Sequence, residues 1–172
     1  MDEAAFYLLI KLGTTWSKKG KTPVLYQGCR YQHLSAISAI SSEGDLHYQI
    51  KETSFTGETI VVFLKELVAF FNCKLLIIWD GAKIHNDKNV KQFLEDENDG
   101  SIFLAKIPPY SPELNPDEQV WKTLKYDMLK NIVCKTVSEL HSKLSNAFES
   151  LKLQTQKIKN FFHHPKVGFY KP

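Results

Sequence analysis

The chain has 172 residues, 43% of them hydrophobic and 24% charged, with a net charge of +3. This composition excludes a disordered or fibrous chain and suits one globular domain with a full apolar core. Cys29, Cys73 and Cys134 are odd in number and far apart, which argues against a disulfide framework or a zinc knuckle, and the mild basic excess permits a polyanionic partner without arguing for one.

Phe6 to Leu12 is apolar and predicts a first strand. A loop with Gly13, Lys18, Lys19, Gly20 and Pro23 follows. Leu34 to Ile40 and Leu46 to Ile50 alternate around Ser42-Glu43-Gly44-Asp45, the pattern of a β-hairpin. From about Glu58 to Phe71 the period becomes helical, with Ile60, Val61, Phe63, Leu64, Leu67, Val68 and Phe71 on a broad buried face. Leu75 to Trp79 is a continuous apolar run ending at Asp80, which predicts a strand buried on both faces with a polar group at its C-terminal end. A short helix is expected around Asp87 to Glu95, and a second buried strand over Ile102 to Ile107, ending at Pro108-Pro109.

The last third reads as helical. Asn115 can cap, Pro116 suits the first helical position, and Val120, Trp121, Leu124 and Met128 make an apolar stripe. Thr136-Val137-Ser138-Glu139 is a capping-box pattern before Leu140, Leu144, Phe148 and Leu151. The tail from Phe161 to Pro172 is aromatic and basic and predicts no element. The order, a hairpin region and then alternating helices and strands, predicts an α/β domain with a mixed sheet and helices on both faces. The longest apolar run is too short to cross a bilayer, and Met1-Asp2-Glu3 has no basic leader region, so a soluble cytoplasmic protein is expected.

Three carboxylates stand at informative places. Asp80 lies beyond a buried strand, where ligands gather in open α/β sheets, and Gly81 behind it permits close approach; an isolated strand-end Asp more often caps the next turn. Glu118 opens a helix and also fits a capping role with Asn115. Asp117 lies nearer the centre of the apolar stripe, so geometry alone does not choose between the two. Asp2 and Glu3 face opposite ways on a strand, and only one can join a given site. His85 alone suggests a surface or capping histidine, and His163-His164 has no partner at ligand spacing. Lys18, Lys19, Lys122 and Lys125 suit phosphate contact, although lysines as a class are mostly solvated surface.

Three segments together carry a resemblance. Ile77-Ile78-Trp79-Asp80-Gly81-Ala82-Lys83-Ile84-His85 resembles the second-aspartate motif of bacterial insertion-sequence transposases in the Tc/mariner superfamily. Pro108-Pro109-Tyr110-Ser111-Pro112-Glu113-Leu114-Asn115-Pro116-Asp117-Glu118-Gln119-Val120-Trp121-Lys122-Thr123-Leu124-Lys125 resembles their third-carboxylate motif. Asp2 to Leu8, with Thr15-Trp16 and Gly20-Lys21-Thr22-Pro23-Val24-Leu25, is similar to their first-aspartate segment.

The resemblance implies that residues 1–172 form a single DDE catalytic domain with an RNase H-like, retroviral-integrase-like fold. It implies a catalytic, metal-binding triad of Asp2, Asp80 and Glu118, supported by His85 and Asp117, with Asp2 bridging two metals and Glu118 completing the second position. It selects Glu118 over Asp117. The separation, 118 − 80 = 38 positions, is slightly long for the family, and the added length is expected in Glu95 to Gly100. It further implies two Mg²⁺ or Mn²⁺ ions, transposon-end and target duplex DNA as partners, DNA strand cleavage and strand transfer as the reaction, and a nucleoid-associated location. Oxygen ligands fit such ions, which need neither His nor Cys. Family members carry an N-terminal helix-turn-helix region. It is absent from this chain, so a homodimer or a partner supplying that region is expected. The alternatives are a truncated or domesticated domain that binds DNA without cutting it, and another RNase H-like endonuclease.

Overall fold

The structure is a computed structural model, and it describes residues 1–9, 11–24, 26, 31–97, 100–163 and 167. Cys29, Leu25, His164, most of the tail and part of the Glu95 to Gly100 stretch lie outside the described residues.

Strands β1 (Asp2–Tyr7), β2 (His33–Ile40) and β3 (Leu46–Lys51) form an antiparallel sheet in the order β1-β2-β3. β4 (Leu75–Trp79) and β5 (Ile102–Lys106) form a parallel pair. The Met1 backbone nitrogen donates to Ile78 O at 2.9 Å, which sets the start of β1 against β4. Helix α1 (Gly57–Phe71) and the short α2 (Lys88–Gln92) pack on one side. Helices α3 (Asp117–Lys122), α4 (Val137–Lys152) and α5 (Thr155–Phe161) pack on the other.

The alternation of side chains along β2 explains the layering. Leu34 and Ala36 join the cluster built by Val120, Trp121, Leu124, Leu144 and Phe148, and Ile37 and Ala39 join the one built by Ile60, Phe63, Leu64, Ile77 and Trp79. β2 is therefore the strand with both faces buried. The hairpin turn needs Gly44 twice over. Its φ is +89°, and a Cβ there would stand 2.6 Å from Thr155 O. α1 starts where Thr56 and Thr59 bond each other's backbone nitrogens, and stops at Asn72 in the left-handed region.

The elements depart from the sequence expectations at several points. The first strand runs over Asp2–Tyr7, not Phe6 to Leu12, because pairing stops at Tyr7↔His33 and the chain then leaves the sheet. β4 and β5 are not buried on both faces. Leu76 and Phe103 are register partners on the face away from α1 and α2, and they are 65% and 55% exposed. α3 does not continue as a regular helix but widens into π-type turns over Thr123–Met128, a form often met near functional sites. Among the described residues, no helix is long and apolar enough to cross a membrane.

Candidate active site

Asp2, Asp80 and Glu118 line one cleft of about 410 Å³, with Gly81, Ala82, Asn115 and the Ile107–Pro112 loop. Each arrives from a different element. β1 contributes Asp2, the C-terminal end of β4 contributes Asp80, and the first turn of α3 contributes Glu118. Among the described residues, no three His, Cys, Asp or Glu side chains stand close enough to cage a metal on their own.

Asp2 shares the face of β1 that carries Phe6, and the Trp121 ring meets both. Trp121 Nε1 donates to Asp2 Oδ2 at 2.9 Å, and the ring stands edge-on to Phe6 with centroids 6.1 Å apart. The Glu3 amide donates to the other oxygen at 2.8 Å. Burial, and next the charge of Asp117, raise the Asp2 carboxyl to about 7, against the pull of Trp121, the Glu3 amide and the Met1 ammonium.

Asp80 follows Trp79, which is fully buried. Its Oδ1 accepts from the Ala82 amide at 2.9 Å, so the turn-capping role is real. Oδ1 also stands 3.1 Å from His85 Nδ1. Gly81 lines the cleft, but a Cβ there would meet nothing within 4 Å, so no contact inside the folded chain demands glycine.

Asp117 and Glu118 part company. Asp117 is 1% exposed and accepts from Ser38 Oγ at 2.7 Å while pairing with the Met1 ammonium at 2.8 Å. Ser38 is the register partner of Asp2, which explains the charge Asp117 exerts on Asp2. Glu118 turns to the cleft and solvent. Burial raises its pKa; Lys125 opposes the shift, and Asp117 and Asp80 reinforce it. The Asn115 carboxamide accepts from the Asp117 amide at 3.1 Å, so the helix start is capped without Glu118.

Lys125 is half-buried one side of the cleft, its ammonium 5.1 Å from the Phe6 ring centre. Burial and the nearby Lys11 lower its pKa, while Glu118 and Asp2 support its charge. Lys18 and Lys19 are exposed on the loop after β1, and Lys122 is exposed on α3. His85 is 3% exposed in a 3-10 turn, Lys83–Asn86, and is not a surface residue. Glu3 holds its other nitrogen at 2.9 Å. Sequence reasoning weighed Glu3 only as a rival to Asp2. Both are used because the turn carrying His85 approaches the second face of β1. Tyr110, on the cleft's wall, is fully exposed with φ +58°.

Residues 1–141 match the model of a family described as DDE superfamily endonuclease. An uncharacterized 39 kDa protein of insertion element IS630 from Shigella sonnei is 23% identical over 153 residues, which cover 87% of this chain and 44% of that protein. The chain thus spans less than half of that relative's length. The catalytic domain of Mos1 mariner transposase superposes with a TM-score of 0.61 at 12% identity, covering 99% of this chain and 81% of that one. A Mos1 mariner paired-end complex with Mn gives 0.67 at 14% identity, covering 99% and 55%. These likenesses show a shared fold, the RNase H-like α/β architecture. With the family match extending over most of its length and all three cleft carboxylates inside the matched region, the chain belongs to the DDE superfamily endonucleases.

Proposed function

We propose that this chain is the catalytic domain of a DNA transposase. The reaction is hydrolysis of a phosphodiester at the element's ends to leave a 3′-hydroxyl, followed by attack of that hydroxyl on a target phosphodiester. The observation that carries this reading is the convergence of Asp2, Asp80 and Glu118 on one cleft from three separate elements. The Mos1 structures that share the fold include paired-end complexes with Mn and with Mg, which supports duplex DNA and a divalent ion as partners here.

The donor set fits such an ion. It is all oxygen, and it includes a buried carboxylate, Asp2, whose ionised form is disfavoured at neutral pH by burial and Asp117. Asp2 and Asp80 would hold the first position and Glu118, with Asp2 shared, the second. When bound, a pair of Mg²⁺ or Mn²⁺ ions supplies an activated water and a charge partner for the leaving oxygen. Trp121 fixes the orientation of Asp2 through its indole N–H, and His85 that of Asp80. Asp117 supports the site from behind, by tying the start of α3 to β2 through Ser38. Lys125 offers positive charge beside the cleft, and Lys18, Lys19 and Lys122 offer it to the DNA backbone further out.

On this reading the protein would work on DNA in the cytoplasm, at the nucleoid. It would act as a homodimer or with a partner protein. A second reading, a domain that binds DNA without cutting it, draws on the absence of a ready-made metal cage among the described residues. One assay separates the two: Mn²⁺-dependent nicking of a plasmid carrying the element's ends. The wild type nicks and Asp80→Ala does not. Nicking that survives Asp80→Ala removes this site from the reaction, and binding without nicking by the wild type establishes the second reading.

A further inference from the structure

The fully buried imidazole of His85 lies between two carboxylates from different strands. Its Nε2 stands 2.9 Å from Glu3 Oε1 on β1, and its Nδ1 stands 3.1 Å from both Asp80 O and Asp80 Oδ1 at the end of β4. The ring stacks on Trp79 with centroids 4.2 Å apart and planes 3° from parallel. Trp79 is itself fully buried, so the plane of the imidazole is set by packing. Within that plane the two nitrogens have little freedom, and Glu3 decides the rotation that remains. The side chain of Glu3 is 20% exposed, so its charge sits near the surface while its partner is sealed beneath it.

The consequence falls on Asp80. His85 Nδ1 bonds its backbone carbonyl oxygen and stands against its Oδ1, which also accepts from the Ala82 amide, and this leaves Oδ2 as the oxygen available to the cleft. A carboxylate with one oxygen held by an amide donor and flanked by a fixed ring nitrogen presents the other in a fixed direction. That is how partners behind a metal ligand tune it. A histidine buried only to fill the core would need neither carboxylate, and it would not link the two strands that carry Asp2 and Asp80.

We propose that Glu3 and His85 form a positioning pair: Glu3 orients the His85 ring, and His85 holds the Asp80 carboxylate with its second oxygen turned to a divalent cation in the cleft. This rests on the reading of Asp80 as a cation-binding residue. Neither Glu3 nor His85 touches the reacting atoms.

The test is a Mn²⁺ titration of the full chain, read from the paramagnetic resonance signal of the free ion. Wild type, Glu3→Gln, His85→Asn, His85→Leu and Asp80→Ala are compared, with thermal unfolding in EDTA to establish that each is folded. Glu3→Gln keeps an acceptor but loses the charge, and it is expected to weaken Mn²⁺ binding about 10- to 100-fold, the usual effect of losing a partner behind a ligand. His85→Asn retains a donor near the Nδ1 position and should lose less than His85→Leu. Should His85→Leu fail to fold, Glu3→Gln and His85→Asn still decide the matter. The proposal is overturned if both bind Mn²⁺ within about twofold of wild type while Asp80→Ala abolishes binding. Mn²⁺ binding that is unchanged in Asp80→Ala overturns the site reading itself, a different failure visible in the same titration.

Discussion

Replacing Asp2 by Asn should stabilise the metal-free protein at alkaline pH while removing its function. The Asp2 carboxyl moves from an ordinary 3.8 to about 7 on folding. At about 1.4 kcal/mol per unit, a shift of roughly three units corresponds to ~4 kcal/mol. The direction follows from proton counting. Below about pH 4 both the folded and unfolded chains hold the proton, and no penalty exists. Between about pH 4 and 7 the unfolded chain releases it and the folded chain keeps it, so stability falls as pH rises; above about pH 7 the penalty is complete. Asn cannot ionise and escapes this. It has one acceptor oxygen where Asp2 accepts from both Trp121 Nε1 and the Glu3 amide, so one hydrogen bond is lost, at about 1–2 kcal/mol. The net gain is ~2 kcal/mol at pH 8, or roughly 4–8 °C in unfolding midpoint for a chain of this size. The assay is thermal unfolding by circular dichroism in EDTA from pH 4 to pH 8. The gain should shrink as pH falls and become a deficit of about 1–2 kcal/mol toward pH 4, where only the lost hydrogen bond remains, and Mn²⁺ should raise the wild-type midpoint but not the variant's. An Asp2→Asn protein less stable than wild type at pH 8, or a difference independent of pH, would refute the reasoning.

Other substitutions separate scaffold from chemistry. Asp117→Ala leaves the Met1 ammonium and the Ser38 hydroxyl buried without their partner, and should cost about 3–5 kcal/mol in chemical denaturation, as broken buried ion pairs do. Gly44→Ala meets both a positive φ and the Thr155 carbonyl, and should lower stability by about 2 kcal/mol or more with no change in Mn²⁺ affinity of the folded protein. Lys125→Met removes the cation that opposes the rise in the Glu118 pKa. The acid limb of the nicking rate, lost as Glu118 takes up a proton, should move to higher pH.

The sequence carried the frame of this fold more completely than its site. The Leu46 to Ile50 strand, the helix ending at Phe71 and the run into Asp80 follow from periodicity, because each element buries a face that its own spacing defines. β4 misled because an apolar run does not say whether a second layer covers it; Leu76 and Phe103 are apolar yet exposed. α5 went unseen because its buried contacts are few, with Ile158 and Phe161 the residues it buries. At the site, the helical wheel put Asp117 nearer the centre of the apolar stripe without choosing between the two acids, and Asp117 is the buried one. The stripe's centre leads to Ser38 and β2, however, and the cleft opens beside it, where Glu118 stands. Taken alone, His85 read as a surface or capping residue, and only the motif resemblance pointed to a supporting role, because its partner Glu3 is 82 positions away in the chain, a contact no local pattern encodes. Periodicity places faces, and the meeting of faces from distant elements makes the site.

The most direct test of the central claim is a crystal structure of the protein grown with Mn²⁺, with the ions located by anomalous scattering. The account predicts Mn²⁺ in the cleft, bound by oxygens of Asp2, Asp80 and Glu118, while Asp117 stays paired with Ser38. Mn²⁺ found only elsewhere, or bound in the cleft by Asp117 with Glu118 turned away, would contradict it.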